Sequence, residues 1–123
     1  MLQMESKDEK KEFFESFFGI VGSKNFYRAL NEFKNKTGFG VDCISILFYG
    51  DFEEWDDYRC KENEVALIIE YPAAKEDTIG YLDFSQFYSV LDTECKKYIE
   101  KHPEELENIN RLLSEIKSEF GVI

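Results

Sequence analysis

The run Val41 to Tyr49, VDCISILFY, limits the fold more than any other stretch of the chain. It is rich in β-branched and aromatic residues, which suit a pleated, packed surface, and it predicts a strand. Its near-continuous apolar character predicts a central position, covered on both faces. Val65 to Tyr71, VALIIEY, predicts a second strand, stopped by Pro72. Ala73 to Asp77 then turns the chain, and Thr78 to Leu82 returns as a short strand. So short a connection closes an antiparallel hairpin, because a parallel crossover needs a dozen residues or more.

Helices to cover these strands are available on either side of them in the chain. Phe13, Phe14, Phe17 and Phe18 make one apolar stripe, so Lys7 to Phe18 predicts a helix. Gly19 and Gly22 interrupt it. Ser23 is the expected N-cap of a second helix, Lys24 to Lys36, with Phe26, Tyr27, Leu30 and Phe33 facing inward. Gly38 is placed to end it in the left-handed conformation. The two are short enough to be one interrupted element. Asp83 caps a third helix, carrying Phe84, Phe87, Tyr88, Leu91, Cys95, Tyr98 and Ile99 at helical spacing. Pro103 splits off a last helix, Glu104 to Phe120, whose buried stripe is Leu106, Ile109, Leu113, Ile116 and Phe120. The expected order is ααβββαα. That is an α+β domain over residues 1–123, with a small antiparallel sheet of about three to four strands and two N-terminal and two C-terminal helices packed on it.

Charge is distributed less evenly than apolar character. The chain carries −11, yet residues 1–50 are neutral, with seven acids and seven bases. Residues 51–83 hold eleven acids against three bases, and residues 84–123 eight against five. Concentrated acidity is an electrostatic face, whereas even acidity would serve only solubility. With no Lys/Arg cluster to neutralise phosphates, direct binding to nucleic acid is not expected. The partner should be basic.

The centre of that acidity is Asp51-Phe52-Glu53-Glu54-Trp55-Asp56-Asp57-Tyr58, in which five of eight residues are carboxylates and none is basic. Phe52, Trp55 and Tyr58 fall at every third position, and Trp55 is the only tryptophan. Crowded like charges repel unless water or a cationic partner screens them. A ring ringed by charge suits a surface that docks on something basic, with Asp51, Glu53, Glu54, Trp55, Asp56, Asp57 and Tyr58 as its contacts. The structural alternative is that Trp55 plugs the core from a solvated loop. Arg59 and Lys61 are expected to be intramolecular partners that relieve the crowding of the carboxylates.

Little else points to chemistry. The lone histidine, His102, precedes a proline at a helix junction, and nothing nearby in sequence would orient it as a base. The pair Gly38 and Gly40 runs from helix into strand, the reverse of a phosphate cradle. Counting Asp51 as the first position of a calcium loop puts Trp55 and Asp56 where a ligand and a glycine are needed. No catalytic residue, metal site or cofactor is therefore assigned. A looser carboxylate metal site, and with it a metal-dependent enzyme, stays open, as does an acidic adaptor for another basic partner. Cys43, Cys60 and Cys95 are far apart and odd in number, which fits free thiols in a reducing cytoplasm. Met1 to Phe18 alternates charge with phenylalanine, unlike a secretion signal, and no apolar run approaches the roughly 18 residues that span a bilayer.

The C-terminal half also resembles a known family. Tyr81-Leu82-Asp83-Phe84, Phe87-Tyr88, Leu91, Cys95, Lys97-Tyr98-Ile99, His102-Pro103 and Leu112-Leu113 are similar to the immunity proteins of bacterial contact-dependent growth inhibition, above all those that neutralise ribonuclease toxins. Upstream, the Phe-rich helix, Gly38-Phe39-Gly40 and the acidic segment with Trp55 continue the likeness. The resemblance implies a cytoplasmic, non-enzymatic inhibitor of the C-terminal toxin domain of a large secreted or surface-displayed protein. A ribonuclease toxin must attract RNA, so its cleft is basic and an acidic lid could steer onto it and occlude it. Membrane or direct nucleic-acid binding is not implied, and the oligomeric state is left open.

Overall fold

The computed structural model describes residues 1–123. Helix α1 (Lys7–Lys34) opens the fold after a short strand, β1 (Leu2–Gln3). Strands β2 (Phe39–Val41), β3 (Ile44–Phe48), β4 (Glu64–Ile69) and β5 (Thr78–Asp83) follow, and then helices α2 (Phe84–Lys101) and α3 (Leu106–Phe120). The sheet order is β1-β5-β4-β3-β2.

This corrects the expected architecture in three respects. The sheet is five-stranded and mixed, because β1 pairs in parallel with β5, Leu2 opposite Thr78 and Gln3 opposite Ile79. A two-residue strand carries no period to read. The run Val41 to Tyr49 is not one central strand. It contains the end of β2, a tight turn at Asp42 and Cys43, and β3, and the turn works because Asp42 takes φ +54°. Aspartate tolerates the left-handed region that such a turn needs. The N-terminal pair of helices forms one element, α1, interrupted as expected at Gly22, which stands at φ +64° and ψ 179°, so three helical elements stand where four were counted.

Helix α1 begins at Lys7 as expected, and only its C-terminal end differs. It starts in a capping box, in which Glu9 N donates to Ser6 Oγ at 3.0 Å and Ser6 N to the Glu9 carboxylate at 3.4 Å. It stops with Lys36, not Gly38, in the left-handed conformation. Asp83 caps α2 as expected, exchanging hydrogen bonds with Gln86.

Alternation along the strands sorts side chains into two layers. Ile44, Ile46 and Phe48 of β3, Val65 and Leu67 of β4 and Leu82 of β5 face the helices, in a core of 24 buried residues. Phenylalanines bridge the elements there: Phe33 of α1 meets Phe87 of α2 edge-on at 5.3 Å, and Phe84 stacks on Phe120 of α3 at 4.5 Å. Tyr27 and Leu106, expected inside, are 41% and 47% exposed. On the opposite face Ala66 and Ile79 form a smaller cluster with Cys60, fringed by Tyr49, Phe52, Ile68 and Tyr81. The chain between β3 and β4 supplies Tyr49, Phe52 and Cys60, so this connection covers the far face of the sheet.

Burial decides the thiol chemistry. It pushes Cys60 from 9.0 up to about 11, with the Glu64 carboxylate adding to the shift, and Cys95 up to about 12, with Asp92 adding. Cys43 is half-buried. An alkylating reagent at neutral pH should therefore modify Cys43 in the native protein, and all three thiols only after unfolding, as intact mass would show. Native thiols that hold their protons longer than unfolded ones keep their full stabilisation below pH 9 and lose it as pH rises towards 11 to 12.

Candidate functional site

The acidic connection is held to the sheet at both ends and projects in the middle. After β3 the chain makes a 3-10 turn, Tyr49–Asp51. Asp51 Oδ2 accepts from Phe48 N and from Gly38 N, each at 2.8 Å. Gly38 is required for this approach: a Cβ there would lie 2.7 Å from Ile46 O and 2.9 Å from the same carboxylate oxygen. Asp51 thus ties the end of β3 to the link between α1 and β2. Removing its carboxylate in Asp51→Ala should cost about 1–2 kcal/mol in denaturant unfolding, since two backbone donors lose a charged acceptor.

The other end is fastened by Arg59, Cys60 and Tyr81. The Arg59 guanidinium carbon sits 3.4 Å from the Tyr49 ring centroid, and its Nε donates to Tyr49 O at 3.0 Å. Cys60 is buried against Ala66 and Ile79, and its thiol donates to Glu64 O at 3.4 Å. Tyr81 on β5 donates its hydroxyl to Tyr58 O at 2.7 Å. Burial, then the neighbouring Cys60 and Glu64, pushes that hydroxyl's pKa up, which keeps the donor protonated.

Between these fastenings the backbone turns twice, Asp56 N to Glu53 O at 3.1 Å and Arg59 N to Asp56 O at 3.2 Å. Asp56 is half-buried and accepts from Tyr58 N at 2.8 Å. Phe52 turns inward. Glu53, Glu54 and Asp57 face water, Tyr58 is 37% exposed, and Trp55 is 79% exposed. The tryptophan is not a core plug. No carboxylate of the stretch forms an ion pair; the five pairs in the protein all lie on or beside the helices. Arg59 and Lys61 do not neutralise the loop, contrary to expectation. Of the seven candidate contacts, the structure thus brings Glu53, Glu54, Trp55 and Asp57 together on the outside, with Tyr58 beside them, and commits Asp51 and Asp56 to the loop's own hydrogen bonds. Sequence reasoning missed Tyr49 and Tyr81 as the scaffold, although Tyr81 alternates with Leu82 and so belongs to the far face.

His102 has more company than its sequence neighbours imply. Its Nε2 lies 3.1 Å from Ser23 Oγ, and its Nδ1 3.6 Å from the Glu104 carboxylate. Its ring lies 4.5 Å from that of Tyr98, itself stacked on Phe26. These contacts tie the break in α1 to the end of α2. No group of three or more His, Cys, Asp or Glu side chains converges where it could hold a metal ion.

The loop, strands β2 to β5, helix α2, most of α1 and the first half of α3 fall within a stretch that matches a known family: a family model described as CDI immunity protein covers residues 10–113. The chain belongs to the CDI immunity protein family. Its role is accordingly to neutralise a toxin, and its partner is the cognate toxin. No curated protein matches the chain. No helix of this immunity protein is long and apolar enough to cross a membrane.

Proposed function

We propose that this immunity protein inhibits its toxin by binding, not by chemistry of its own, and that the loop from Asp51 to Tyr58 is the surface that holds it. One observation carries the reading: the only tryptophan stands 79% exposed among carboxylates that have no cationic partner in the protein. A large ring in water and uncompensated charge both favour a basic partner that buries the one and pairs the other. The fastened ends of the loop support the same reading, since a surface ordered beforehand loses less entropy on binding. Within it, Trp55 is the anchor, Glu53, Glu54 and Asp57 are the charges, and Tyr58 flanks them. Asp51 and Asp56 hold the loop's shape.

The partner that suits this surface is a ribonuclease toxin domain, because a cleft that attracts RNA phosphates also attracts a cluster of carboxylates. The loop would cover that cleft in the cytoplasm, where the RNA is. Two measurements test this. RNA incubated with the toxin domain should be cleaved, and equimolar wild-type inhibitor should stop cleavage. The association rate should fall about tenfold or more from low to high salt, with a smaller change in dissociation, as screening shortens the reach of the loop's field to about 8 Å at 0.15 M. Glu53→Gln and Asp57→Asn should each slow association without lowering stability. A toxin that leaves RNA intact would overturn the ribonuclease assignment, and a salt-independent association rate would overturn the role of the charge.

A further inference from the structure

A second surface of opposite charge lies on the helical layer. A groove of about 610 Å³ runs between the start of α1 and the exposed side of α2. Lys7, Lys10 and Lys11 line the α1 wall, and Ser85, Ser89 and Thr93 the α2 wall, with Lys97 at the far end. Phe14, Leu82 and Val90 are its apolar lining. Two acids, Glu15 and Glu94, share the groove, and Glu94 is already paired with Lys97 at 3.3 Å. Lys10 is also committed: its Nζ donates to Tyr81 O at 2.9 Å, on the edge of β5 beyond the reach of β1. Lys7 and Lys11 are exposed, one helical turn apart, and neither makes an ion pair. The exposed Ser85 and Ser89 hydroxyls face no hydrogen-bonding partner in the protein.

We propose that this groove is a second docking surface, and that it takes an acidic, aliphatic segment of a protein partner. Unpaired ammonium groups on a chain of net charge −11 mark a place where carboxylates are accepted at contact. The two serines, at i and i+4 on one wall, can donate to or accept from a peptide backbone. Val90, half-buried on the wall, offers contact to an aliphatic side chain, with the buried Leu82 forming the floor beneath it. From Ser85 to Lys97 the wall is about 18 Å long at helical rise, which spans roughly five or six extended residues. Nucleic acid suits the groove less well. Its one aromatic, Phe14, is only 5% exposed and offers no face for a base, and the protein's net charge repels a polyanion. The inference does not rest on the assignment of the acidic loop.

The test is titration of the full-length protein with a blocked peptide of about six residues alternating glutamate and leucine, followed by amide chemical shifts. Shifts should centre on Lys7, Lys11, Ser85 and Ser89. The pair Lys7→Glu and Lys11→Glu, both on the surface, should weaken the peptide about tenfold, whereas Glu54→Gln with Asp57→Asn should leave it unchanged. Absence of shifts at millimolar peptide, or shifts confined to other elements, would overturn the proposal. A single-stranded RNA of similar length displacing the peptide at equal concentration would overturn the choice of a protein segment as occupant.

Discussion

Phe87→Ala should lower the unfolding free energy by about 3–5 kcal/mol, the usual cost of removing a large ring that the surroundings cannot refill. Phe87 is fully buried, and its ring meets Phe14 and Phe33 of α1, Phe48 of β3 and Phe120 of α3 at centroid distances of 5.3 to 6.2 Å. It is therefore the ring on which α1, α2, α3 and the sheet converge. Its truncation leaves a void bounded by four other rings on three elements, and no single one can move in without opening its own contacts. A domain of this size is stable by only about 5–15 kcal/mol, so the variant should be marginal at 37 °C. Phe87→Leu, which keeps most of the volume, should lose markedly less. Denaturant unfolding gives both values. A loss below about 1 kcal/mol for Phe87→Ala would mean that the three helices do not share this core.

That core was legible because helical spacing of phenylalanine is a strong signal over long segments. Phe13, Phe17, Phe33, Phe87 and Phe120 each follow from the periodicity of their own helix. The sheet was less legible. Asp42 marks a turn inside VDCISILFY, but a single left-handed aspartate is easily outweighed by the strand-favouring Val41, Ile44, Ile46, Phe48 and Tyr49 around it. β1 is two residues long, and the chain after it buries Met4 against Gly80 of β5, a tertiary contact that no local period announces. In the acidic loop, composition announced charge but not direction. Asp51 and Asp57 look alike in sequence, yet one is drawn onto two backbone amides while the other faces water. What separates them is the close approach that Gly38 allows, thirteen residues away in the chain. Arg59 likewise reads as a charge partner, but the Tyr49 ring and carbonyl claim it first.

Trp55→Ala should affect binding alone. The ring is 79% exposed and packs in neither hydrophobic cluster, so its loss removes almost no native contact and stability should change by no more than about 0.5 kcal/mol. In the complex the same ring would be enclosed by the toxin, and truncating a central aromatic anchor costs about 2 kcal/mol or more. The charges around it act over a longer range and show mainly in the association rate, so loss of the ring should show mainly as faster dissociation. The deciding measurement is the Kd of wild type and Trp55→Ala for the cognate toxin domain, taken with the Tm of each free inhibitor. A Kd weakened about thirtyfold or more at an unchanged Tm is the expected result. An unchanged Kd at an unchanged Tm would contradict it and place the toxin-binding surface elsewhere on the protein.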